Sequence, residues 1–130
     1  MLVGGSDNGE DPPFNDLKQY PMFYAPTLAV HYASAFVPNL FTAVGKQPVQ
    51  ARSDLRRLAI PDGGPMPIRV LTAVAAGKPL FNVPAFVSTW YRDYDYLYVL
   101  GPHIANPLPD LLEELDRSAR FVLYKIRRPH

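Results

Sequence analysis

A chain of 130 residues that is 48% hydrophobic and 12% aromatic is long enough for one packed domain and too apolar for an intrinsically disordered segment. Its formal net charge of +1 supplies no overall field to gather nucleic acid or anionic lipid, so no nucleic-acid partner is expected. Cysteine is absent, which excludes disulfides, thiolate metal sites and a cysteine nucleophile. No apolar run reaches the ~20 residues of a membrane span, and no basic region followed by an apolar stretch marks a signal peptide. The composition therefore predicts a water-soluble domain.

Residues 1–13, rich in Gly, Asp, Pro and Asn, predict a flexible N-terminal arm, leaving 14–130 as a single α/β domain. Fifteen prolines fall mostly between the apolar runs and punctuate them. Thr27 to Tyr32 predicts a short first strand. The apolar run Phe36 to Val44 is interrupted by Pro38 and Asn39 and suits an edge or irregular segment, because proline removes a ladder donor. Pro48 to Arg52 offers another short strand. Ser53 can cap a brief helix through Ile60 with Leu55 and Leu58 on one side, and Asp62-Gly63-Gly64-Pro65 is a break. Ile68 to Ala76 fits both the strand and the helix period. Pro67 before it, with Gly77 and Pro79 after it, favours helix. Asn82 is placed to cap a second helix in which Val83, Phe86 and Trp90 share a face.

The last third is the most patterned. Tyr94 to Leu100 is a nearly continuous apolar and aromatic run ending at Gly101-Pro102, as expected of a strand buried on both faces. Its alternation puts Tyr94, Tyr96 and Tyr98 on one side and Asp95, Leu97 and Val99 on the other. Leu108, Leu111, Leu112 and Leu115 follow helical spacing, so Leu108 to Ser118 predicts an acidic amphipathic helix. Arg120 to Arg127 closes the chain as a strand. The expected fold is α/β: a layered mixed sheet of about four to five short strands with helices packed on it, ending in a strand–helix–strand unit.

Candidate chemistry is sparse. His103 follows the carboxyl end of the predicted central strand, where open α/β sheets bind ligands, and a histidine there can serve as a general base. Asn106 and Asp110 lie just beyond it. The plainer reading of Gly-Pro-His-Ile-Ala-Asn-Pro is a turn, since no nucleophile or oxyanion motif accompanies it. His31 within the first strand and the terminal His130 carry no further signal. Asp93 and Asp95 have the i, i+2 spacing of same-face carboxylates, a pairing that can divide acid and base work; the plainer reading has Asp93 ending the preceding helix and Asp95 paired with an arginine or a backbone donor. The tyrosine row offers a stacking surface for sugars or bases only if its face is open. Arg52, Arg56 and Arg57 form a compact basic cluster without a phosphate loop beside it. The residues after Asp116 are basic without an acid, which reads as a solvated strand and tail. No cofactor motif and no metal-ligand spacing is present.

The segments Ala35-Phe36-Val37-Pro38-Asn39-Leu40-Phe41-Thr42 and Gly45-Lys46-Gln47-Pro48-Val49, then Trp90 with Tyr94-Asp95-Tyr96-Leu97-Tyr98-Val99-Leu100, and finally Arg120-Phe121-Val122-Leu123-Tyr124-Lys125-Ile126 carry a resemblance. Together they resemble the C-terminal extracytoplasmic domain of bacterial polytopic membrane proteins of the lipid-linked-sugar glycosyltransferase type. The resemblance spans residues 28 to 127 and implies a non-catalytic cap, acceptor-binding or interaction module on the extracytoplasmic face of the inner membrane. Its implied partner is the membrane portion of a parent protein or a glycan, with a homodimer when the domain is isolated. The chain departs from the pattern in having no transmembrane helices, so it is expected to be either a fragment or a free-standing relative, and no catalytic residue carries over. Phe36, Leu40 and Phe41 are the candidate interaction surface. Two rivals stand beside this reading: a small hydrolase or transferase, cytoplasmic if free-standing, with His103 as general base assisted by Asp95 or Asp110, and an oligomerisation module.

Overall fold

The computed structural model describes residues 1–5, 25–38, 51–59, 65–101 and 105–128. Five strands form one mixed sheet in the order β2-β1-β3-β5-β4: β1 (Leu2–Gly5), β2 (Met66–Pro67), β3 (Tyr96–Leu100), β4 (Leu112–Arg117) and β5 (Phe121–Ile126). The helices are α1 (Leu28–Ala33), α2 (Ile68–Ala75), α3 (Ala85–Ser88) and α4 (Trp90–Asp93), with a 3₁₀ turn at Arg56–Leu58. The class is α/β, as the sequence predicts.

The start of the chain departs from expectation. The sequence predicts a flexible arm over residues 1–13, of which 6–13 lie outside the described residues, yet β1 lies inside the sheet, parallel to β2 on one side and β3 on the other. Its composition misleads because two of its four residues are glycines, whereas its burial rests on Leu2 and Val3, both fully enclosed. These neighbours face opposite sides of the sheet, as adjacent strand residues must. Leu2 joins the main core with Leu97, Val99, Val122 and Tyr124, against Ile68 and Leu71 of α2, Phe86 and Val87 of α3 and Trp90 of α4. Val3 joins Leu100 and Val37 on the other face, where Ala29 of α1 packs.

Thr27 to Tyr32, expected as a strand, is helical. The left-handed Ser34 (φ 49°) closes α1, and its amide bonds to the Ala29 carbonyl. The short helix α2 is confirmed and ends as the glycine signal implies: Gly77 takes φ +67°. Its amide donates to Val74 O, and that of Lys78 to Ala73 O, the paired bonds of a Schellman cap. Asn82 does not cap the next helix. It sits in the left-handed region at φ 58° within a turn, and Pro84 precedes α3 instead. The predicted single helix is broken at Thr89 (φ −131°), but Phe86 and Trp90 are still both buried. Trp90 Nε1 donates 3.0 Å to Leu71 O, tying α4 to α2. The Thr89 hydroxyl donates 2.6 Å to Asp93 Oδ2, and Arg57 Nη2 reaches Asp93 Oδ1 at 2.9 Å. Ser53 does not cap a helix either; only the 3₁₀ turn forms, behind Leu55. Ala51 and Arg52 are not in a strand, and residues 48–50 lie outside the described residues.

The largest correction concerns Leu108 to Ser118. No helix forms there: Leu112–Arg117 is the edge strand β4, antiparallel to β5, with a bulge between Glu114 and Asp116. The C-terminal unit is therefore three consecutive strands, not strand–helix–strand. The Leu108 carbonyl accepts from the amides of Leu111 and Leu112 in one tight turn, after which the chain pairs with β5 on both sides of the bulge. Tertiary pairing outweighs a weak helical preference. Leu112 is buried while Leu115, at the bulge, is half exposed. Charged residues and a bulge are also what keep an edge strand from pairing with other chains.

Leu2→Ala should lower stability by about 2–5 kcal/mol in denaturant unfolding, as truncation of a fully buried leucine does. A loss below ~0.5 kcal/mol, the range of ordinary surface changes, would return residues 1–5 to an arm.

Candidate functional site

Two of the three sequence candidates meet at one place. Asp95 immediately precedes β3, and Asp110 lies in the turn that leads into β4. Because β5 runs antiparallel to β3, its exit brings Arg127 and Arg128 to the same end of the sheet. The backbone locks this arrangement: Ile126 N donates to Asp95 O at 2.8 Å, and Arg127 N donates to Leu111 O at 2.8 Å. A groove of about 580 Å³ opens here, with apolar lining from Ala75, Tyr91, Leu108 and Leu111 and charged lining from Asp110, Arg127 and Arg128. An adjoining depression of about 730 Å³ shares Asp110, Arg127 and Arg128 and adds Asp95, Tyr96, Glu113 and Lys125. Both volumes fall in the range of small-molecule sites.

The apolar wall is held by Asn106. Its Nδ2 donates 2.7 Å to Leu112 O and its Oδ1 accepts from Leu108 N at 3.0 Å, so one amide side chain fixes both ends of the Leu108–Leu112 turn. Among the charged lining residues the ion pairs are loose or open to water. Arg127 Nε approaches Glu113 Oε2 at 3.5 Å, and Arg128 pairs with Asp95, with more than half of each side chain exposed in the second pair. Asp110 and Lys125 have no ion pair among the described residues.

His103 lies outside the described residues. Gly101, two positions before it, ends β3 with φ +61° and donates to Arg120 O at 2.9 Å. It stands at the end of β3 opposite Asp95, roughly 20 Å away along an extended strand. Gly101 also lies beside the carboxyl end of β1, where Gly5 pairs with Leu100. Phe36 is half-buried against the main core, and its carbonyl accepts from the Met1 ammonium at 2.7 Å; Leu40 and Phe41 lie outside the described residues.

The tyrosine row does not form one surface. Tyr94 is buried in the main core, its hydroxyl donating 3.1 Å to Leu58 O. Tyr96 is open to solvent, and Tyr98 is half-buried on the opposite face from Leu97, stacked on Phe121 at 4.8 Å and 18°. The arginine cluster is likewise dispersed, with Arg52 on Asp54 at 3.2 Å and Arg57 on Asp93. Asp93 is thus a structural partner: the Arg57 guanidinium holds its carboxyl below the usual range, with burial opposing and the Thr89 hydroxyl assisting. Among the described residues no group of three or more metal-ligating side chains is clustered for a metal ion. The groove itself was only partly visible in the sequence, because Tyr91, Leu108 and Leu111 read as helix positions and only Asp110, Asn106 and Asp95 carried a polar signal.

Comparison with protein-family models, with curated proteins and with solved structures finds no match for this chain.

Asn106→Ala should destabilise the fold by about 1–3 kcal/mol, because it strips the partners from two part-buried backbone groups. Chemical shifts of Leu108 to Leu112 should change together, and an unchanged turn would mean that Asn106 does not hold the wall. A second expectation concerns alkaline pH. Burial, with the Asp116 carboxylate adding to it, pushes the Tyr98 phenol up to about 12, and burial raises Tyr94 further. The folded state holds these protons more tightly than the unfolded chain, so their contribution is complete below the ordinary tyrosine value of about 10 and is lost as the pH rises through the folded values. Denaturant titrations should show stability falling above that point, and less steeply in Tyr98→Phe.

Proposed function

We propose that this chain is a non-catalytic interaction domain of the kind that caps the extracytoplasmic side of bacterial glycosyltransferase-like membrane proteins, and that α1 is its contact surface. One observation carries the reading. The six residues of α1 are Leu, Ala, Val, His, Tyr and Ala, and none is buried; Leu28 is 58% exposed and Tyr32 80%. A helix this short and this apolar gains little from standing in water, and clustered exposed apolar side chains mark interaction sites. Tyrosine suits such a surface because a large ring is ordered at small entropic cost. Phe36, singled out by sequence, packs against the main core instead, so the proposed surface rests on α1 alone. The occupant proposed for this surface is the membrane-embedded portion of such a protein. In the isolated chain, a second copy takes its place.

Sedimentation of the chain across a concentration series should report reversible self-association. Tyr32→Glu, at an exposed position, should abolish it without lowering the melting temperature. A chain that stays monomeric throughout the series, with Leu28 and Tyr32 protected from surface labelling, would overturn the reading.

A further inference from the structure

The groove at the β5 exit lies away from α1, which packs on the other face of the sheet from α2–α4, and the interaction role makes no use of it. Its lining is mixed in chemistry. Leu108, Leu111 and Tyr91 supply apolar lining, and Arg127 and Arg128 line the same groove. Neither arginine is committed to its present partner. The Arg127–Glu113 contact is long, at 3.5 Å, and the Arg128–Asp95 pair is open to water on both sides, so an incoming carboxylate can replace either at little loss. Guanidinium groups hold planar oxyanions with two parallel hydrogen bonds. Asp110 qualifies the fit. It lines both depressions, lies beside the arginines in each, and has no ion pair among the described residues. A plain anion seated on Arg127 and Arg128 meets the repulsion of this carboxylate. A molecule that also carries an ammonium group meets an attraction.

We propose that the groove is a binding site for a small zwitterionic amphiphile of the amino-acid class: its carboxylate on Arg127 and Arg128, its ammonium on Asp110, and its apolar side chain against Tyr91, Leu108 and Leu111. The backbone of the site is preformed, because the Asn106 hydrogen bonds fix the Leu108–Leu112 turn and the Arg127–Leu111 bond holds the β5 exit against it. The arginines stand at the divide between the two depressions, so the ligand head occupies the divide and its body the apolar groove. Charge of both signs at the head and an apolar wall beside it select against free inorganic phosphate and against an uncharged ring alike.

The test is a heteronuclear NMR titration of the full chain with three probes that share one ring: L-phenylalanine, phenylacetate and phenethylamine. L-phenylalanine should give saturable shifts confined to Tyr91, the Leu108–Leu112 turn and the Arg127–Arg128 backbone, binding about tenfold more tightly than either singly charged probe. Arg128→Ala should weaken L-phenylalanine by about tenfold. Asp110→Asn should remove its advantage over phenylacetate while leaving phenylacetate binding intact or improved. Both variants change exposed side chains, and an unchanged melting temperature confirms that each stays folded. Equal binding of phenylacetate and L-phenylalanine would overturn the zwitterion assignment, and absence of saturable shifts up to about 10 mM, weaker than any useful affinity for such a site, would overturn the site itself.

Discussion

The sheet depends on the pairing of β1 with β3. Leu2 to Gly5 match Leu97 to Leu100 residue for residue in parallel, and the opposite edge of β1 carries Met66 and Pro67. β1 is thus the link between a small parallel region, which leads directly into α2, and an antiparallel region made of β3, β5 and β4. It also carries one side chain into each core: Leu2 beneath the helices and Val3 toward α1. Four residues with two glycines succeed in this role because both edges are hydrogen-bonded and because the two large side chains are completely removed from water. A central strand needs little length when its neighbours supply the ladder on both sides.

The helical layer follows from that placement. β2 is only two residues long and passes straight into α2, and the chain then crosses β1 through α3 and α4 before entering β3. The crossing is fastened at its midpoint by the Trp90 indole on Leu71 O and at its rim by the Thr89–Asp93–Arg57 contacts. The indole bond lets a large ring sit fully inside the core without leaving its N–H unpaired, which is the condition for burying tryptophan. On either side of the break at Thr89, Phe86 and Val87 of α3 and Trp90 of α4 are all buried in the main core.

What was legible in the sequence divides along the same lines. β3 and β5 were readable because a nearly continuous apolar run has few alternatives, and α2 was readable because Pro67 and Gly77 bracket an ambiguous period. The failures share a cause: local pattern without knowledge of the partner. Gly4 and Gly5 look like a linker until both edges of β1 are paired. Leu108, Leu111, Leu112 and Leu115 share a helical face, but with β5 available only Leu112 enters the core, and Leu115 is left at the bulge. Thr27 to Tyr32 reads as a strand, but Leu28, Val30 and Tyr32 are left exposed while Ala29 packs on the smaller core, and a helix satisfies its backbone locally instead. Of the candidate site, the sequence offered Asp95, Asn106 and Asp110 as separate polar residues. Their convergence required the antiparallel return of β5, which no local pattern encodes.

That return also explains why the groove lies where it does. In a purely parallel sheet the carboxyl ends of the strands share one edge, and the ligand crevice forms there. Here only β2, β1 and β3 run parallel. β5 reverses direction, so its carboxyl end meets the amino end of β3, and two arginines arrive where Asp95 begins that strand. The chain between β3 and β4 must travel from one end of the sheet to the other before β4 can pair with β5. The Asn106-pinned turn at its end brings Leu108 and Leu111 into the groove that those arginines line. The same leucines that imitate a helix in sequence are therefore what gives a charged sheet edge an apolar lining. An edge with only the ion pairs would be a solvated surface of little consequence. The turn converts it into a concave site lined by both charge and hydrocarbon.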